Sequence, residues 1–141
     1  MKWFFDTSVL IPAFLEDHEH HEPSLRAFLK ATKQTGCCAA HSLAEMYATL
    51  TRLPGRHRLS GDQAVLLFEN IRERLTLVIL DAEEYYAALQ AAAAARIAGG
   101  TVYDALLAQC AAKAEAEVLC TWNVKHFQQM SPRIEARVET P

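Results

Sequence analysis

The chain opens Met1-Lys2-Trp3-Phe4-Phe5-Asp6-Thr7-Ser8, and this stretch limits what the rest can fold into. Trp3 to Phe5 is a short apolar run that ends on a carboxylate, and two hydroxyl residues open the next element. Successive side chains of a strand point to opposite faces, so aromatic residues in a row make a strand that is apolar on both. A strand buried on both faces belongs inside a parallel sheet. Asp6 then stands at the mouth of a strand-to-helix turn. In open α/β sheets the working crevice lies outside the carboxyl ends of the strands. An acid there is either a helix cap or part of a site.

The 141 residues are enough to bury a core. No linker, low-complexity tract or repeat divides them, so residues 1–141 read as a single domain. A hydrophobic share of 51% with 22% charged residues fits a globular chain. The formal charge of −3 excludes a nucleic-acid binder that works through bulk positive charge. Local patches would have to serve instead. No apolar run is long enough to span a membrane, and the N-terminus lacks the features of a signal peptide. The cysteines, Cys37, Cys38, Cys110 and Cys120, form no C-x-x-C pair. They read as small reduced core residues, and the expected location is the cytoplasm.

Helical spacing covers Thr7 to Asp17, with Pro12 inside it, and Ser24 to Lys33. Between them, His18, His20 and His21 sit in a polar connection that reads as a solvated loop rather than a metal cluster. Cys37 to Ala40 is a short strand, and a helix follows from His41 to about Arg52. Ser60-Gly61-Asp62-Gln63 has the form of a capping box. Leu75 to Leu80 reads as a buried strand, and Asp81 as the cap of an alanine-rich helix whose surface is core or an oligomer contact. Gly99-Gly100 ends that helix and Thr101 begins another. Val118-Leu119-Cys120 is a fourth strand, and Ile134 to Val138 a last edge strand. Strands alternating with helices give an α/β fold with a mostly parallel sheet.

Three acids stand out by position. Asp6 follows the first strand, Glu45 lies three residues after Ser42, and Asp104 lies three residues after Thr101. Ser42-x-x-Glu45 also fits a capping box, and Thr101-x-x-Asp104 a weaker one. If Asp6 and Glu45 both begin helices that follow parallel strands, they lie along one edge of the sheet. Asp104 begins a helix that follows another helix, so the same rule does not reach it directly, and Asn123 reaches the same edge behind the fourth strand. Gathered carboxylates repel and hold their protons more tightly. A hard divalent cation, Mg²⁺ or Mn²⁺, relieves that conflict through oxygen ligands, and such sites serve phosphoryl chemistry. Arg52, Arg56, His57 and Arg58 surround Pro54-Gly55 as the one local basic patch.

Four stretches carry a resemblance. They are Phe5-Asp6-Thr7-Ser8-Val9-Leu10; Ser42-Leu43-Ala44-Glu45-Met46-Tyr47, running on through Leu50-Thr51-Arg52-Leu53-Pro54-Gly55; Tyr103-Asp104-Ala105-Leu106-Leu107-Ala108; and Cys120-Thr121-Trp122-Asn123-Val124-Lys125-His126-Phe127. In this order and spacing the chain resembles the PIN-domain ribonucleases, and within them the VapC toxins of bacterial type II toxin–antitoxin systems. The resemblance implies a three-layer α/β/α fold, metal-dependent endoribonuclease activity with Mg²⁺ or Mn²⁺, a homodimer, and a small antitoxin partner. It implies that Asp6, Glu45 and Asp104 are catalytic and metal-holding, with Asn123 at a fourth position where many members carry Asp. Thr7, Ser8 and Thr121 would be supporting hydroxyls. Arg52, Arg56, Arg58 and Lys125 would meet RNA phosphates.

Other readings fit less of the chain. A phosphatase with an aspartyl nucleophile wants a second acid two residues after Asp6, and that residue is Ser8. A phosphoaspartate receiver wants paired acids after the first strand, and only Asp6 is there. A catalytically weakened PIN-like module that binds RNA or protein is favoured by Asn123 alone.

Overall fold

The computed structural model describes residues 1–130, 132–135 and 137–141. Five strands form one sheet: β1 (Trp3–Phe5), β2 (Gly36–Ala39), β3 (Thr76–Val78), β4 (Val118–Cys120) and β5 (Val138–Glu139). Their order is β3-β2-β1-β4-β5, and every pairing is parallel. Register aligns Trp3 with Gly36 on one side and with Val118 on the other. β1 is therefore central, as its aromatic run requires. Strand order reverses between β1 and β4, which is the topological switch point where crevices form in such sheets.

The helices are α1 (Thr7–Ala13), α2 (His21–Lys30), α3 (Ala40–Leu50), α4 (Gly61–Arg74), α5 (Ala82–Ala94), α6 (Thr101–Lys113), α7 (Val124–Gln128) and α8 (Pro132–Glu135). The pleat of β1 divides them into two layers. Phe5 faces a core with Val9, Leu10, Phe28, Met46, Leu50 and Ile71, from α1 to α4. Phe4 faces the other core with Leu107, Cys110, Ala111, Phe127 and Ile134, from α6 to α8. This is the expected α/β/α sandwich. The four thiols are buried and free. Burial pushes Cys37 and Cys120 up to about 12 and Cys110 up to about 11, so they behave as small apolar residues. No helix among the described residues is long and apolar enough to cross a membrane.

Several expectations shift. α1 stops at Ala13, because Pro12 has no N–H to give to the preceding turn and Phe14 N–H turns back to Ile11 O at 3.1 Å. α2 begins at His21, three residues before Ser24, with Pro23 in its first turn, where a missing N–H costs nothing. β3 is an edge strand with a half-open surface, although its composition reads as buried. The edge strand expected over Ile134 to Val138 is reduced to Val138–Glu139, and Ile134 lies in α8; Ala136, inside the expected strand, lies outside the described residues. The Ser60 capping box and the Asp81 cap both form as read.

Gly36 shows how closely the layers meet at β2. A Cβ there would lie 2.7 Å from Ala31 Cβ, 2.9 Å from Leu75 Cδ2 and 3.3 Å from Phe5 Cε2. Gly36→Ala should cost about 1–3 kcal/mol in denaturant unfolding, as overpacking does. Gly100→Ala is the control, since nothing lies within 4 Å of a Cβ there, and its stability should be little changed.

Candidate active site

Asp6 ends β1 and caps α1. Its side chain is buried, at 1% exposure, and its carboxylate is held by three donors. Thr7 N–H donates to Oδ1 at 2.8 Å. Ser8 Oγ–H donates to Oδ2 at 2.6 Å, and Thr121 Oγ1–H donates to the same oxygen at 2.7 Å. The two hydroxyls are themselves fixed from β4's exit. Trp122 N–H donates to Ser8 Oγ and Asn123 N–H to Thr121 Oγ1, each at 2.9 Å. Burying an unpaired carboxylate is costly, and charge-assisted hydrogen bonds offset that cost. One lone pair of Oδ1 remains uncommitted.

Glu45 arrives from α3, which follows β2 without a loop; its side chain is 29% exposed. Asp104 arrives from the first turn of α6, the helix that leads back into β4. A crossover helix runs antiparallel to its strands, so its start lies at their carboxyl edge, beside Asp6. Burial, then the charge of Asp6, then that of Asp104, push Glu45 up to about 7. Burial and Asp6 also raise Asp104, while His126 pulls it back down. His126 Nδ1 lies 2.8 Å from Asp104 Oδ2. The three acids thus sense one another's charge, as their order along the sheet edge suggests.

Two observations bear on a metal. Among the described residues, no three His, Cys, Asp or Glu side chains are gathered closely enough to hold an ion as they lie. Yet the buried side-chain atoms without a hydrogen-bond partner are Thr7 Oγ1, His41 Nε2, Ser42 Oγ and Glu45 Oε1, all in the opening turns of α1 and α3. His41 Nε2 stands 3.4 Å from Glu45 Oε1, out of line for a hydrogen bond. The first observation concerns the positions of the side chains. The second describes donor chemistry: spare oxygen acceptors beside mutually raised acids, a set that suits a hard cation. The donor set fits a divalent ion, and the resting geometry does not yet enclose one.

Other expected residues fall differently. Asn123 is exposed at the start of α7, and its side chain makes no capping bond. Ser42 is buried inside α3, whose cap position is Ala39, so Ser42-x-x-Glu45 is no capping box. Thr101 is likewise past the cap position, which is Gly100. Glu45 and Asp104 are thereby freed from a capping role. Arg52, Arg56 and Arg58 are exposed, with Arg58 Nε–H donating to Leu53 O at 2.9 Å. Arg52 lies seven residues past Glu45, roughly 10 Å along a helix axis. Lys125 is exposed on α7. Of the histidines, His21 Nδ1 lies 2.8 Å from Pro12 O, and His18 Nδ1 accepts from His20 N–H at 3.0 Å, so they shape a turn. Sequence reasoning missed His126 and His41 as neighbours of the acids. His41 was legible as a residue one helical turn before Glu45; the approach of His126 to Asp104 joins two helices and has no local signature.

The raised Glu45 has a consequence for stability. The folded chain holds this proton up to about 7, while an ordinary glutamate loses it near 4.5. Its contribution is fully present below the lower value and is lost as pH rises through the upper one. Without divalent ions, thermal midpoints should fall across that window, and Glu45→Gln should flatten the fall. An unchanged slope in the variant would contradict the assignment.

Comparison with known proteins adds a family to this geometry. The PIN domain family profile matches residues 3–130. The chain is 40% identical over 114 residues to Ribonuclease VapC27 of Mycobacterium tuberculosis, covering 80% of this chain and 79% of that protein. Against Ribonuclease VapC40 of the same species it is 35% identical over 114 residues, or 81% of each. Among solved structures, M. tuberculosis VapC20, described as a sarcin-ricin loop cleaving toxin, matches with a TM-score of 0.69 at 16% identity, covering 89% of this chain and 92% of that one. DNA-bound VapBC from Salmonella typhimurium matches at 0.67 and 18% identity, covering 99% and 98%. At such identities the solved structures speak for the fold, while the family profile and the two ribonucleases speak for descent: the chain belongs to the PIN domain family.

Proposed function

We propose that this chain is an endoribonuclease that hydrolyses RNA phosphodiester bonds and acts as the toxin of a toxin–antitoxin pair. The observation that carries the reading is that Glu45 and Asp104 both feel the charge of Asp6 at the carboxyl edge of the sheet, each raised by burial and by that charge. The names of the curated relatives support the same reaction class.

Asp6, Glu45 and Asp104 would hold Mg²⁺ or Mn²⁺, and Asn123 could add an amide oxygen without charge. When bound, the ion would offset the charge on phosphorus and on the attacking oxygen. Asp6 is the fixed member, since three hydrogen bonds set its rotamer. His126 orients Asp104. Glu45, the partly exposed member of the three, would hold the ion through water or take the proton of the attacking water. The water oxygen bonds to phosphorus, its proton passes to Glu45, the bond to the departing sugar oxygen breaks, and that oxygen takes a proton from solvent. Ser8 and Thr121 hold Asp6, while the buried Thr7 Oγ1 has no hydrogen-bond partner of its own. Arg52, Arg56, Arg58 and Lys125 would meet phosphates further along the strand.

A small antitoxin protein is the proposed partner, supported by the toxin–antitoxin complexes among the structural neighbours. A homodimer is supported by exposed Ile79 (66%), Tyr86 (63%) and Tyr85 (43%) at and after β3. The rival reading, a weakened binding module, rests on exposed Asn123.

Purified protein should cut single-stranded or looped RNA with Mg²⁺ or Mn²⁺ and lose the activity in EDTA. Asp6→Asn should lower cleavage by at least about a hundredfold and relieve growth inhibition on expression, on the scale that charge stabilisation at a reacting centre supplies. Intact RNA across several substrates, together with no Mn²⁺-induced rise in melting temperature, would favour the binding module. Thr121→Val should weaken cleavage less than Asp6→Asn, because it removes one of three donors to the Asp6 carboxylate; equal losses would assign Thr121 a direct role.

A further inference from the structure

Trp122 lies between Thr121 and Asn123, and its ring is placed with unusual care for a residue at the end of an edge-proximal strand. Its backbone N–H donates to Ser8 Oγ, the hydroxyl that itself donates to Asp6. Its indole Nε1–H donates to Ser24 Oγ at 2.9 Å, and Ser24 is fully buried in α2. The residue also packs on the α1–α4 core. Two anchors and a wall thus fix the indole one residue from the carboxylate site.

The imidazole of His20 lies over this ring, with centroids 3.9 Å apart and planes 10° from parallel. That is stacked-base geometry. His18 continues the row, 5.6 Å from His20 and tilted by 38°. Where the row ends the basic loop begins: a groove of about 520 Å³ is lined by His18, Asp17, Arg56 and His57. His57 Nδ1 approaches Asp17 Oδ2 at 3.8 Å, which brings the loop after α3 against the turn before α2. The groove beside Arg56 and His57 thus shares His18 with the row of rings that passes through His20 onto Trp122. Single-stranded nucleic acid is held by this combination of cationic contacts to the backbone and aromatic faces for the bases.

Resting on the reading of the site as a ribonuclease, we propose that the Trp122–His20 stack seats an unpaired RNA base next to the phosphate being cut. The base joins the stack, Arg56 and its neighbours take the phosphates beyond it, and the scissile phosphate is thereby set against Asp6, Glu45 and Asp104. Substrates would be single strands or loops with a splayed base, since a paired base cannot offer its face. Trp122 is a positioning residue in this scheme.

The test uses intact protein and single-stranded RNA oligonucleotides carrying 2-aminopurine at successive positions, with Ca²⁺ as a divalent ion that does not support cleavage. Quenching should appear at one or two adjacent positions. Trp122→Ala should weaken binding about ten- to a hundredfold, while Trp122→Phe and Trp122→Tyr should stay within about threefold of the parent, as base stacking on any aromatic ring predicts. An abasic nucleotide at the quenched position should weaken the unmodified protein by the same factor as Trp122→Ala, a readout that needs no variant to fold. Absence of quenching at every position, or an abasic scan with no change in affinity, overturns the proposal. So does a stack that serves a side chain of a partner protein, for which no RNA base would be quenched. Cleavage by the parent with Mg²⁺ is measured in parallel: loss of that activity strikes the ribonuclease reading, whereas cleavage that proceeds without base quenching strikes only the stacking seat.

Discussion

The carboxylate of Asp6 is the fixed point of this molecule. It is buried at the exit of the central strand, and it stays placed because an amide and two hydroxyls converge on it. Two of those donors come from β1's exit and one from β4's, and the amides of Trp122 and Asn123 hold the hydroxyls in turn. The network therefore joins the two halves of the sheet at the point where strand order reverses. Asp6 N–H also donates to Cys120 O at 3.0 Å, so backbone and side chain pin the same junction.

A fixed negative charge sets the conditions for its neighbours. Glu45 and Asp104 reach the same edge on separate helices, and both hold their protons more tightly because water is partly excluded and because Asp6 is there. The unpaired atoms Thr7 Oγ1, Ser42 Oγ, His41 Nε2 and Glu45 Oε1 gather in the same place. Elsewhere among the described residues the buried polar side chains are partnered: Ser24 takes the Trp122 indole and Thr121 serves Asp6. A fold that satisfies its polar groups elsewhere and leaves them open at one crevice has given up stability there, the usual cost of a site that binds charge.

The surroundings extend that crevice in one direction. α1 ends early at Ala13, just past Pro12, and the turn that follows brings His20 over Trp122 with His18 beside it. A longer first helix, as the spacing through Asp17 predicts, would have carried these rings away. The proline thus links a local backbone rule to the aromatic surface beside the acids.

Much of this was legible without coordinates. Trp3 to Phe5 announces a strand apolar on both faces, Ser60 and Asp81 announce helix starts, and the four motif stretches announce the family, because each depends on neighbours within a few residues. The signals failed where one residue type serves two purposes. Ser42 and Thr101 look like caps but lie inside their helices, since the chain enters each helix earlier than its hydroxyl suggests. Leu75 to Leu80 is apolar enough for a central strand yet lies at an edge, since composition records hydrophobicity and not which neighbours arrive. The alternation of elements and the acids at their ends are matters of local periodicity and can be read along the chain. Only the tertiary structure decided that β1 and β4 lie side by side, that three acids share one field, and that His126 meets Asp104 and His20 meets Trp122. Those contacts join residues from 22 to 115 positions apart, and no local pattern encodes a distance across a fold.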